Sequence, residues 1–100
     1  TLLRLTARSI ARALDSFQPK IYEIYVCGGG SHNAALLKAL GDEAAGIPVH
    51  TTEALGIHPD WVEACAFAWL AHRTLAGKSG NLPSVTGAHH PVILGGIYKA

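Results

Sequence analysis

"IYVCGGGSHNAALL", residues 24–37, decides the fold. Ile24-Tyr25-Val26 is apolar and rich in β-branched and aromatic residues. It passes straight into Gly28-Gly29-Gly30, and a helix-forming segment follows within three residues. The stretch "IYEIYVC" (21–27) reads as a strand. Asn33 is placed to cap the helix "AALLKAL", and Gly41 to close it. Glycine loses more backbone freedom on folding than any other residue, so three in a row at a strand exit need a reason. Strand, glycine turn and helix N-terminus together collect backbone N–H groups and the positive helix end into an anion site. Glycine also lets a ligand lie against the main chain. Valine at Gly29 would block that approach and strain a backbone expected to need φ > 0. A tight turn with no ligand is the other reading of the same residues.

Upstream, "TLLRLTARSIARALDSF" (1–17) repeats Leu3, Ile10, Leu14 and Phe17 at helical spacing. Arg4, Arg8 and Arg12 fall near the opposite side and read as a solvated face, with a subunit contact as the lesser alternative. Gln18-Pro19-Lys20 breaks this helix. Downstream, "IPVHTT" is a short strand, Pro48 being tolerable only at its start or on an edge, and "EALGI" is a connector. In "HPDWVEACAFAWLAHRTLAG" Pro59 suits the first helical position, and Asp60 and Glu63 favour the positive helix end. From Trp61 to Ala71 almost every residue is apolar, which predicts a helix buried nearly all round, closed by Gly77. The remainder is turn-rich, with a short strand expected at Pro91 to Leu94. The order helix, strand, helix, strand, helix is an α/β arrangement. Two strands make too small a sheet, so the chain reads as part of a larger α/β domain, cut at its first helix.

The composition agrees. Among 100 residues 49% are apolar and only 15% charged, where about a quarter is usual; part of the surface is expected to be covered. A net charge of +1 argues against nucleic acid or an anionic membrane as partner. No apolar run approaches the ~20 residues of a membrane span, and no signal peptide opens the sequence. Cys27 and Cys65 sit in apolar segments and read as reduced thiols.

Named phosphate motifs do not fit. A dinucleotide fingerprint counted from Gly28 would need glycine where Asn33 stands, and Gly77-Lys78-Ser79 follows a helix instead of a strand. Cys27 with His32 has the residue types of a thiol–base pair, but nothing nearby helps such a pair. Six histidines raise the question of metal, yet none pair at ligand spacing on one helix, and His89-His90 fall in the irregular tail. Glu63 is the acid inside the apolar helix, on one face with Asp60 and Phe67. It is satisfied either by the helix dipole or by ligand hydroxyls, and spacing leaves the two readings even.

Three segments, "CGGGSHNAALL" (27–37), "GIHPDWVEACAFAWLAHRTLAG" (56–77) and "GNLPSVTGA" (80–88), resemble the C-terminal part of the anhydro-N-acetylmuramic acid kinase family. Together with the first helix they cover essentially the whole chain. The resemblance implies a C-terminal fragment, 1–100, of the second domain of an actin-like (ribonuclease H-like) ATPase fold, with an incomplete sheet. It implies a bacterial cytoplasmic enzyme of peptidoglycan recycling that uses ATP, Mg²⁺ and water to open and 6-phosphorylate an anhydro-amino-sugar. Gly28, Gly29, Gly30 and Asn33 then match the family's nucleotide-binding glycine motif, and Glu63 its sugar contact. The family's aspartate base and phosphate loop would lie upstream, so the fragment alone is expected to be inactive. The family also suggests a homodimer. Trp61 and His89-His90-Pro91 are less typical of its pattern. Another sugar kinase of the superfamily, or a non-catalytic actin-like module, is the alternative.

Overall fold

The computed structural model describes residues 1–17 and 20–98. It divides into two compact units, Thr1–Val62 and Glu63–Ala100.

In the first unit, α1 (Leu2–Asp15) packs on α2 (Ala34–Glu43). The buried residues here are small on α1, Ala7 (0% exposed) and Ala11, with Leu40 (3%) on α2 and Ala44 at its C-cap. The packed stripe is therefore Leu3, Ala7, Ala11 and Leu14, and not the one expected from the larger residues. Ile10 is exposed, and Phe17 lies beyond the helix end and is exposed too. Alanines let two helices approach closely, and that decides which face turns inward. Arg8 reaches Glu43 at 3.5 Å; Arg8 and the rest of the arginine row are exposed, as a solvated face should be. α1 ends at Asp15, where the Ser16 hydroxyl and N–H both turn back to the Ala13 carbonyl. The expected breaker Gln18-Pro19 lies outside the described residues.

β1 (Ile24–Val26) and β2 (Val49–Thr51) pair in parallel, Ile24 with Val49, Tyr25 with His50 and Val26 with Thr51. A parallel pair needs a crossover, and α2 supplies it. β1 is shorter than the expected 21–27, because its partner offers three residues and Gly28 turns the chain away. Pro48 sits just before β2, where its carbonyl accepts from Ile24 N–H at 2.9 Å. Gly41 does not close α2. The helix continues to Glu43, and the left-handed residues that end it are Ala45 (φ 51°) and Gly46 (φ 85°). A helical glycine weakens the helix by about 0.5–1 kcal/mol, but stopping there would take Ala44, the C-cap, out of its buried position. The "EALGI" connector begins as a 3-10 turn, Thr52–Leu55.

The second unit carries α3 (Val62–Leu75) from Glu63 onward and the tail. Gly77 (φ 64°) does close this helix. Its N–H bonds the Thr74 carbonyl and Lys78 N–H bonds that of Arg73, the paired bonds of a glycine C-terminus. The expected burial of α3 is not seen. Phe67 is 64% and Trp69 53% exposed, and no described residue of the helix is buried. Apolar character states what a helix would bury, whereas burial also needs a cover. Nor is there a strand at Pro91 to Leu94. The Asn81 side chain takes the ladder's place, accepting from Val92 N–H (2.7 Å) and donating to the His90 carbonyl (3.1 Å). A one-turn helix, α4 (Pro83–Thr86), interrupts the tail.

Candidate functional site

In open α/β sheets ligands gather outside the carboxyl ends of the strands. Here β1 gives way at that edge to the glycine turn, and β2 to the Thr52–Leu55 turn. The Thr52 Oγ1 atom is buried there without a hydrogen-bond partner among the described residues.

Gly28 has φ 73° and ψ −170°, a region that is essentially glycine's alone. Its N–H donates to the Pro59 carbonyl at 3.0 Å. Its own carbonyl accepts from the N–H (3.0 Å) and the hydroxyl (2.6 Å) of the buried Ser31. Gly29 and Gly30 belong to a 3-10 turn, Gly29–His32, and neither has positive φ. The backbone strain expected at Gly29 thus belongs to Gly28. A Cβ built on Gly29 would meet nothing within 4 Å, and one on Gly30 would touch only Leu36 Cδ2 at 3.6 Å. Conformation demands the first glycine. The other two present bare, exposed backbone at the sheet edge.

Asn33 caps α2 as the sequence predicts, its Oδ1 accepting from Leu36 N–H at 3.0 Å. That bond leaves the amide Nδ2 without a partner among the described residues. His32 is not paired with Cys27. Its Nε2–H donates to Asp60 Oδ1 at 2.6 Å, and Cys27 is an exposed free thiol, as is Cys65. His58 Nδ1 accepts from Asp60 N–H at 3.4 Å. The same nitrogen lies 3.8 Å from Asp60 Oδ2. Both ends of the glycine turn, Gly28 and His32, are therefore tied to two consecutive residues, Pro59 and Asp60. Local spacing carries no signal for a pair 28 positions apart, and sequence reasoning missed it.

Glu63 stands in the first turn of α3, in the second unit. It is exposed and makes no hydrogen bond or ion pair among the described residues, so its expected buried setting is absent. Its place in the first turn of α3 sets its charge at the favourable end of the helix dipole. Tyr25 donates to Glu23, and that carboxylate raises the phenol above its usual pKa, which leaves it protonated at neutral pH. Among the described residues no three His, Cys, Asp or Glu side chains gather as a metal site.

The family model for anhydro-N-acetylmuramic acid kinase matches residues 1–100. An anhydro-N-acetylmuramic acid kinase of Nitrosomonas europaea is 49% identical over 100 residues, all of this chain and 28% of that protein. The namesake of Pseudomonas syringae pv. syringae is 53% identical with the same coverage. That of Coxiella burnetii is 51% identical over 98 residues, 98% of this chain and 26% of its own. The chain thus spans about 28% of the length of the curated relatives it matches.

Proposed function

Because the chain belongs to the anhydro-N-acetylmuramic acid kinase family, we propose that it supplies part of the nucleotide wall and one sugar contact of a longer enzyme. That enzyme uses ATP and water to open the 1,6-anhydro ring of anhydro-N-acetylmuramic acid and phosphorylates the freed 6-oxygen, a step of peptidoglycan recycling. Residues 1–100 are in this reading the C-terminal piece of the second domain of an actin-like ATPase fold; the two-strand sheet is incomplete, and the rest of the chain completes it. Gly28, Gly29, Gly30 and Asn33 face the nucleotide and Glu63 the sugar. The phosphate loop and the aspartate that activates water come from outside these residues. Phosphoryl transfer depends on positioning and charge stabilisation, with Mg²⁺ neutralising phosphate charge. The described residues offer no ligand set for that ion, so no step here is assigned to it. The resemblance to the family suggests the bacterial cytoplasm as the enzyme's place and a homodimer as its assembly. No helix among the described residues is long and apolar enough to cross a membrane.

The glycine turn carries this reading. Only Gly28 is required by its own conformation, while Gly29 and Gly30 leave open backbone where a phosphate-bearing ligand would lie. In an enzyme of the relatives' length carrying this segment, Gly29→Val puts a branched side chain into that approach without straining a left-handed backbone. Titration calorimetry with a non-hydrolysable ATP analogue should show affinity weakened by at least about tenfold, with sugar affinity held within about twofold. A folded variant with unchanged nucleotide affinity would return the triplet to a structural turn.

A further inference from the structure

We infer that His32 and Asp60 are positioning residues for the nucleotide turn, a role that rests on the reading just given. Gly29 and Gly30 have no side chains with which to hold the turn's shape, and free backbone there would adopt many conformations. Ser31 closes the turn on itself through the Gly28 carbonyl, and anchors at the turn's two ends set how that closed turn is held. At the first end Gly28 N–H bonds the carbonyl of Pro59, itself a buried residue. At the other end the imidazole of His32 bonds the Asp60 carboxylate at 2.6 Å. The acceptors are neighbours on one 3-10 turn, Pro59–Trp61, whose proline fixes φ and whose first turn is capped by His58. With both ends held against one short element, the bare backbone between them is presented in one conformation. A ligand that binds it then does not have to order it first.

The two side chains are 59% and 47% exposed, and exposed pairs of this kind shift an equilibrium by no more than about fivefold. The test uses the full-length kinase carrying this segment, with His32→Ala, Asp60→Ala, the double variant and the conservative His32→Gln. His32→Ala and Asp60→Ala should each weaken binding of a non-hydrolysable ATP analogue about three- to fivefold. The double variant should be no worse than either single one, because the pair acts as a unit. His32→Gln keeps an N–H donor and should restore most of the affinity. The KM for the anhydro-sugar should barely move, and the melting temperature should fall only by the small amount that losing one exposed pair costs. Gly29→Val, measured alongside, separates the two claims. If it weakens nucleotide binding while the His32 and Asp60 variants do not, the positioning role is overturned and the nucleotide turn stands. If Gly29→Val has no effect, both fall. Equal losses for nucleotide and sugar with a lowered melting temperature would make the pair merely structural and overturn the inference.

Discussion

The two units of the chain reach their shapes by different means. In the first, Ala7, Ala11, Leu40 and Ala44 are buried where α1 meets α2, and the turns beyond β1 and β2 are bonded to their neighbours. In the second, no described residue is buried. Its order comes from polar ties: Thr74 to the Leu94 carbonyl, Arg73 to that of Ser79 at 2.8 Å, and the Asn81 amide across the tail. Phe67, Leu70, Leu75 and residues 94–97 line an open groove of about 500 Å³. α3 is the more apolar of the two long helices, yet α1, with its three arginines, is the one that buries a face. Apolar content does not make a core without a matching surface. Each hydrogen bond adds only about 0.5–1.5 kcal/mol net, so polar ties are a weak substitute for burial.

The comparison predicts a large effect when the 100-residue chain is made alone. It should lack a cooperative melt, and amide exchange should find residual protection in β1 and α2 and almost none from Glu63 onward. A sharp transition of the monomer, with equal protection in both units, would break the contrast.

How much of this was legible in the sequence follows from the range of each interaction. Asn33 as a cap, Pro59 at a helix start and Gly77 at a helix end are signals read within a few residues, and all three hold. Gly41 misled because α2 continues past it to Glu43, which brings the C-cap Ala44 into a buried position, a tertiary demand that overrides a local one. The alanine stripe of α1 was hidden for a related reason: large residues mark an apolar face, but close helix packing prefers small ones. The Asn81 clamp spans nine and eleven residues and the His32–Asp60 bond 28, distances at which spacing says nothing. The burial of α3 was misjudged because a sequence shows the appetite for cover and not its presence in the same chain. The resemblance to the family reached what spacing could not: it gave Glu63 and the glycines their proposed roles.

A smaller effect separates the proposed ligands of the two units. Glu63 belongs to the second unit and is assigned to the sugar. In the full-length enzyme Glu63→Gln keeps the shape and removes the charge. A hydrogen bond to a charged group contributes roughly 1.5–3 kcal/mol, so kcat/KM for the anhydro-sugar should fall about ten- to a hundredfold, with ATP affinity unchanged. A glutamate satisfied by the helix dipole makes the opposite forecast. Its neutralisation would remove about 0.3–1 kcal/mol of stability and leave turnover alone. Steady-state rates and a melting curve on the same variant decide between them.

The smallest effect tests the first unit at Asn33, whose side chain has two ends with different duties. Its Oδ1 caps α2, and its Nδ2 is the end that the proposed nucleotide contact would use. Asn33→Ala removes both and confuses them, since losing a cap alone lowers stability by about 1 kcal/mol. Asn33→Asp separates them. Aspartate caps as well as asparagine, and its charge is favoured at a helix N-terminus, so the melting temperature should hold or rise slightly. The same charge would face the phosphates in place of an N–H donor, and like charges repel. Nucleotide affinity in the full-length enzyme should therefore drop about three- to tenfold, the order of one lost hydrogen bond, while the sugar KM stays put. The drop should shrink as salt screens the added charge, because the side chain is exposed. An Asn33→Asp variant that binds nucleotide normally at low salt would leave Asn33 as a helix cap and nothing more. The nucleotide contact of the first unit would then rest on Gly28, Gly29 and Gly30 alone.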